Sequence, residues 1–411
     1  MKILVLAGGF DQIALIKELQ NRGHKVFLAD YFADPPAKKY ADKHFQVSTL
    51  DEEAIYQLAI EEKVDLITTA CTDQALMTVA KVSERLDLPC YICSETARNV
   101  TDKAYMKKKF MEYQIPTASS ILLTNENEDI DSISRNISFP LIVKPCDCNS
   151  SKGVVKVKEK KELKLAVKQA FELSRSKKVI VETFMDGEEV SIDVWKDRET
   201  AKVLSVSGTQ KIKANAENFT IYQSKYPVRM SKMVQDKIQD IAEKICLAFE
   251  LNNCPILIQA IINGDDINVI EFSARMGGGS KYKLIKYMSG VDIMKVYVNR
   301  ILGDIDQIVT PEWSDKYIEL DYIYADNGKF NRLTGFDQAL NSGEVCEVFQ
   351  YKTEGSIIEK RTTSSDRVVG FLIQEKNENA LKQKRYRVLD QVDILNDQGK
   401  SMMYRECFYQ E

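Results

Sequence analysis

Through residue 95 the chain alternates strand-like apolar runs with amphipathic helical ones about every twenty residues, a rhythm that few architectures accept. KILVLAG reads as a buried strand, GFDQIALIKELQNRG as a helix closed by Gly23, and KVFLAD as a second strand. After the Pro-containing loop YFADPPAKKYAD come HFQVS, the helical DEEAIYQLAIEEK, the strand VDLITTA and the helical DQALMTVAKVSERLD. Strands separated by helices run parallel, so an α/β domain with a parallel sheet is predicted over 1–100. Gly8 and Gly9 follow the first strand, but Asp-Gln-Ile at 11 to 13 breaks the spacing of a dinucleotide fingerprint, which argues against a Rossmann dehydrogenase.

A chain of 411 residues exceeds one ordinary core, so further domains are expected. The helical TDKAYMKKKFMEYQ stops before Pro116 and carries Lys103, Lys107, Lys108 and Lys109, a run that taken alone reads as a solvated helix face. Residues 118–192 read as a small α/β unit, in which Asp186-Gly187 predicts a hairpin joining KVIVETF to EVSIDVWK. In 193–310 a long helix precedes PILIQAII and DINVIEFSA, two strands joined at NGDD, and the helical SKYKLIKYMSGVDIMKVYVNRILG follows. Short alternating segments with interspersed glycines predict a β-rich C-terminal domain over 311–411.

Several function classes are excluded before any motif is weighed. The formal charge is −4, too near neutral for a global field that attracts nucleic acid or acidic membrane, and no basic-aromatic pattern is present. No apolar run approaches the ~20 residues of a membrane helix, and MKILVLAGG lacks the cleavage site of a secretion signal, so cytoplasmic residence is expected. Cys146/Cys148 and Cys90/Cys93 have no second pair at finger-like spacing, and His24 and His44 are the only histidines. A structural zinc site and a Ser/His/Asp hydrolase are therefore both hard to build.

Chemistry concentrates in three places. FPLIVKPCDCNSSKG puts Lys144 at the end of an apolar strand with a loop of small residues beyond it, suited to phosphate oxygens, although the Walker A spacing is absent. VIVETFMDGEEVSIDV supplies Glu182, Phe184 and Glu189, an aromatic flanked by acids that suits a purine nucleoside. LIQAIINGDDINVIEFSARMGGG offers Gln259 and Glu271 on paired segments whose side chains can share a face, as a hard cation requires.

In this order, across roughly residues 1–300, these pieces resemble the ATP-grasp ligases, of the biotin carboxylase and carbamoyl phosphate synthase type and most like the L-amino acid ligases that join a carboxylate to an amine. The resemblance implies an ATP-grasp region over 101–310 behind a pre-ATP-grasp domain, with ATP and Mg2+, or Mn2+ in its place, as cofactors. It places Lys103 and Lys144 on the phosphates, Ser150, Ser151 and Gly153 in a loop over them, Glu182 and Phe184 at the adenine and Glu189 at the ribose. Gln259, Glu271 and Ser273 would hold the metal, Arg275 the acyl phosphate, and Gly277, Gly278 and Gly279 would let the second substrate come close. Specificity is expected from Tyr282, Lys283 and the 208–226 segment, with Thr209 and Lys211 near a substrate carboxylate; by resemblance the assembly is a homodimer. Relatives carry asparagine where Ser273 stands, a shorter and weaker ligand, and this keeps open a second reading: a degenerate ATP-binding protein that regulates without turnover.

Overall fold

A computed structural model describes residues 1–128, 133, 135–148, 152–212, 220–304, 309–359, 363–406 and 408. The first four strands, β1 (Lys2–Leu6), β2 (Lys25–Asp30), β3 (Lys43–Gln46) and β4 (Leu66–Thr68), form a parallel sheet in the order β3-β2-β1-β4. Apolar side chains fill both faces: Leu4, Leu6 and Ile67 pack against one layer of helices, Ile3, Val5 and Leu66 against the other. Burial on both faces explains why these strands are continuous apolar runs rather than alternating ones. As in other open α/β sheets, the carboxyl ends of the strands face a crevice. Here they deliver Gly8, Asp11, Asp30 and Asp73 to it.

The next four strands, β5 (Ser120–Leu123), β6 (Leu141–Pro145), β7 (Val155–Val157) and β8 (Val179–Thr183), make a small antiparallel sheet ordered β5-β8-β6-β7. The hairpin expected at Asp186-Gly187 does not form. β8 lies between β5 and β6, while β9 (Glu188–Lys196) lies between β10 (Ala201–Lys211) and β12 (Cys254–Asn263), so neither has a free edge for the other. The turn instead carries the chain from one sheet to another. Gly187 makes the crossing at φ 140°, with the carbonyl oxygen of Ile262 where a Cβ would stand. Long-range pairing has overridden a local turn signal.

The large sheet also takes in β11 (Ile221–Tyr226), β13 (Asp266–Ser273), β14 (Tyr317–Ile323), β16 (Glu347–Gln350) and β18 (Val369–Glu375), in the order β13-β12-β9-β10-β11-β14-β18-β16. The C-terminal strands join this sheet, since β14 pairs with β11 and continues it. A small sheet of β15 (Gly328–Thr334), β17 (Ile357–Ile358) and β19 (Asp393–Asn396) lies beside it. Helix Glu378–Gln391 is tied to the large sheet by Arg385, whose Nε donates to Asp321 at 2.8 Å. Among the described residues no helix is long and apolar enough to cross a membrane, and the described cysteines are free thiols.

Candidate active site

The sheets converge on one cavity of about 860 Å³, bordered by residues from the N-terminal sheet, the small sheet, the large sheet and the C-terminal segment. Asp102 caps helix Lys103–Glu112, accepting from the amides of Ala104 and Tyr105 at 2.8 and 3.1 Å, and so fixes where the helical lysines point. Lys103 donates to the Cys148 carbonyl at 3.0 Å and lies 3.3 Å from Glu271 Oε2. One turn later Lys107 falls on the same face. The lysine run, read as a solvated face, is therefore split: the Lys107 side chain is 8% exposed and that of Lys108 68%.

Lys107 is the residue that sequence reasoning missed, although its four-residue spacing from Lys103 was a usable signal. Its Nζ lies 2.9 Å from Glu182 Oε2, while Lys144 Nζ donates to Glu182 Oε1 at 2.5 Å. Burial pushes the Glu182 carboxyl up, and the two ammonium groups overcome it, leaving a net lowering. Glu182 is thus the hub of a buried triad at the cavity wall. Phe184 borders the cavity with Lys156 Nζ 3.3 Å from its ring centroid, and Glu189 is paired with Lys211. Ser150 and Ser151 lie outside the described residues. Gly153 has φ 75° and points its Cβ direction at Leu173 and Pro145, 2.7 and 3.0 Å away, so it serves the turn into β7.

Across the cavity Gln259 and Glu271 are direct cross-strand partners in the β12/β13 hairpin, as the sequence implied. Magnesium fits this donor set: one carboxylate, one amide oxygen and room for phosphates are its usual surroundings. Lys103 beside Glu271 adds positive charge where a triphosphate would lie. Ser273 borders the same cavity, and its hydroxyl is hydrogen-bonded to the Asp73 carboxylate. Asp73 also takes Arg275 in a bidentate pair, 2.8 Å from Nε and 2.5 Å from Nη2, while Nη1 donates to the Met276 carbonyl at 2.8 Å. Burial alone would raise the Asp73 carboxyl; Arg275 lowers it. Arg275 borders the cavity, pinned to the N-terminal domain.

The glycine run also makes room for the protein's own side chains. All three glycines border the cavity, but the space beside two of them is filled by the protein itself. A Cβ on Gly277 would meet Asp193 Oδ1 at 3.0 Å and Lys281 at 3.3 Å, and one on Gly279, where φ is 71°, would strike the Arg367 guanidinium. Asp11 accepts from the amides of Gly279 and Ser280, both at 2.8 Å, and holds the run against the N-terminal domain. Thr209 and Lys211 do border the cavity; Tyr282 and Lys283 do not. Tyr282 is buried in a core, and Lys283 pairs with Glu347 at 2.8 Å, so neither can choose a substrate directly.

Residues 137–283 match the ATP-grasp domain. The chain is 30% identical over 172 residues to the D-alanine–D-alanine ligase of Azobacteroides pseudotrichonymphae genomovar. CFP2, covering 39% of this chain and 51% of that one, so it spans about half that relative's length. It is 25% identical over 278 residues to a formate-dependent phosphoribosylglycinamide formyltransferase of Histophilus somni, covering 67% and 69%. Among solved structures, L-amino acid ligase from Bacillus licheniformis superposes with a TM-score of 0.78 at 21% identity, over 96% of this chain and 98% of that one. The biotin carboxylase domain of 2-oxoglutarate carboxylase from Hydrogenobacter thermophilus, solved with MgADP and bicarbonate, gives a TM-score of 0.78 at 14% identity, over 96% and 90%. The fold is the ATP-grasp fold, and residues 137–283 are the part of the chain that matches the ATP-grasp domain.

Proposed function

We propose that the protein is an ATP-dependent, ADP-forming ligase that activates a small-molecule carboxylate as an acyl phosphate and joins it to an amine. Amino acids or peptide-like compounds are the substrates we favour, since L-amino acid ligase and D-alanine–D-alanine ligase are among the relatives. The observation that carries this reading is the facing pair Gln259 and Glu271, set in one cavity with Lys103, Lys144 and Arg275. A free carboxylate is a poor electrophile, and transfer of a phosphoryl group to it supplies a leaving group; no protein nucleophile is needed. Lys103 and Lys144 would draw in the phosphates, and magnesium on Glu271 and Gln259 would offset their charge. Arg275, pre-oriented by Asp73, would meet the negative charge that builds on the transferring group. The cytoplasm is the proposed compartment and a homodimer the proposed assembly.

The test is phosphate release from MgATP across a matrix of amino acids and small acids paired with amines, with Glu271→Gln as control. Release by one pair, abolished in the variant, supports the ligase. ATP binding without release for any pair would favour the degenerate regulatory reading.

A further inference from the structure

The face of the large sheet that floors the cavity can be read strand by strand. Glu271 on β13 is opposite Gln259 on β12, Gln259 opposite Ser191 on β9, and Ser191 opposite Ser207 on β10. At ~4.8 Å per strand this row runs about 14 Å from Glu271 to Ser207. Lys281 closes its far end, donating from Nζ to the Ser207 hydroxyl at 2.9 Å. Beyond it, the Arg367 guanidinium lies over the Tyr322 ring, 3.9 Å from the centroid, and Tyr322 is fixed in turn by its hydroxyl donating to the Gly279 carbonyl at 2.9 Å.

These two cations differ from five others in and beside the cavity. Lys103, Lys107, Lys144, Lys211 and Arg275 each reach a carboxylate within 4 Å, whereas among the described residues neither Lys281 nor Arg367 does, although both border the cavity. Arg367 Nε is shielded from solvent and has no hydrogen-bond partner among the described residues. Of the nearby acids, Asp11 holds the amides of Gly279 and Ser280, and Asp193 accepts from Ser205 at 2.6 Å through Oδ2 while its Oδ1, on the Gly277 side, attracts Lys281 without an ion pair within 4 Å. Burial, reinforced by Arg367, outweighs the pull of Asp193 and pushes the Lys281 ammonium down to about 8. Buried cations whose bonds go to hydroxyl groups, Lys281 to Ser207 and Arg367 to Tyr324, are costly unless an anion completes them.

We infer that Lys281 and Arg367 form a second anion subsite, and that the acid substrate carries, besides the carboxylate to be activated, a further anionic group, a carboxylate or a phosphate, that docks there. Gly279 supports this arrangement, because any side chain at that position would displace the guanidinium. The inference rests on the ligase reading and narrows its substrate class.

It is tested by calorimetric titration of the full chain, preloaded with magnesium and a non-hydrolysable ATP analogue so that the phosphate sites are filled. The probes are glutarate against its monoamide and 3-phosphoglycerate against glycerate. The expected result is that at least one doubly charged probe binds about tenfold tighter than its counterpart, and the pair that responds tells carboxylate from phosphate. Arg367→Gln and, separately, Lys281→Met should abolish the preference, and Arg367→Lys should restore part of it, with analogue binding unchanged as the check on folding. No preference in either pair, or a preference that survives Arg367→Gln, would overturn the inference. The titration involves no turnover. A persistent preference without ADP release for any acid would therefore count against the ligase reading and not against the subsite.

Discussion

Replacing Glu182 by Gln should cost far more than a neutral, nearly isosteric change suggests, because the carboxylate is shared by two buried ammonium groups. Its oxygens lie 2.5 Å from Lys144 Nζ and 2.9 Å from Lys107 Nζ, and its side chain is 5% exposed. Glutamine can accept from one lysine, but it turns an amide N–H toward the other and leaves both charges uncompensated. Removing one partner of a buried pair costs about 3–5 kcal/mol, and that is the loss expected at neutral pH. Lys107→Met, which leaves the Lys144 pair intact, should cost less. Because the folded-state carboxyl is lowered below its ordinary value of 4.5, its contribution is present above that value and fades as pH falls through the folded value. Urea unfolding of wild type and variant at pH 7 and at progressively acidic pH measures both effects. A loss below about 1 kcal/mol at pH 7, or one that stays constant as the pH is lowered, would refute the triad as an ionic hub.

Two further perturbations probe other parts of the fold. Gly187→Ala places a Cβ against the Ile262 carbonyl at a φ only glycine adopts readily; it should destabilise by roughly 1–3 kcal/mol and weaken nucleotide binding, read by urea unfolding and ATP titration. Burial and the neighbouring Asp321 push the Glu319 carboxyl up to about 7, against Arg385. The folded state therefore holds this proton more tightly than the unfolded one, and stability should fall as pH rises from about 4.5 to about 7. Glu319→Gln should flatten that decline by on the order of 1–3 kcal/mol, measured by unfolding at pH 5 and pH 8.

Much of the parallel sheet and the metal-side hairpin was legible in the sequence, because both are local. The spacing of Gln259 and Glu271 around NGDD fixes their register, and apolar runs between amphipathic helices fix the first four strands. What failed depended on distant partners. Asp186-Gly187 looks like a hairpin until β5 and β6 claim both edges of β8, and Lys107 looks solvated until β8 brings Glu182 over it. The same holds for Arg275, whose partner Asp73 is 202 residues away, and for Arg367, which carries no motif and is visible only through the ring it covers. Ser273 was assigned by its place in a motif, but the neighbour that engages it comes from another domain.

The central claim is that the phosphate leaves ATP by way of a substrate carboxylate. It is tested most directly by supplying acids whose carboxyl oxygens are labelled with heavy oxygen, together with MgATP and the amine pool, and weighing the phosphate released. Formation and breakdown of an acyl phosphate predicts one heavy oxygen in each phosphate. Unlabelled phosphate would mean that water attacked ATP directly, and would contradict the ligase mechanism.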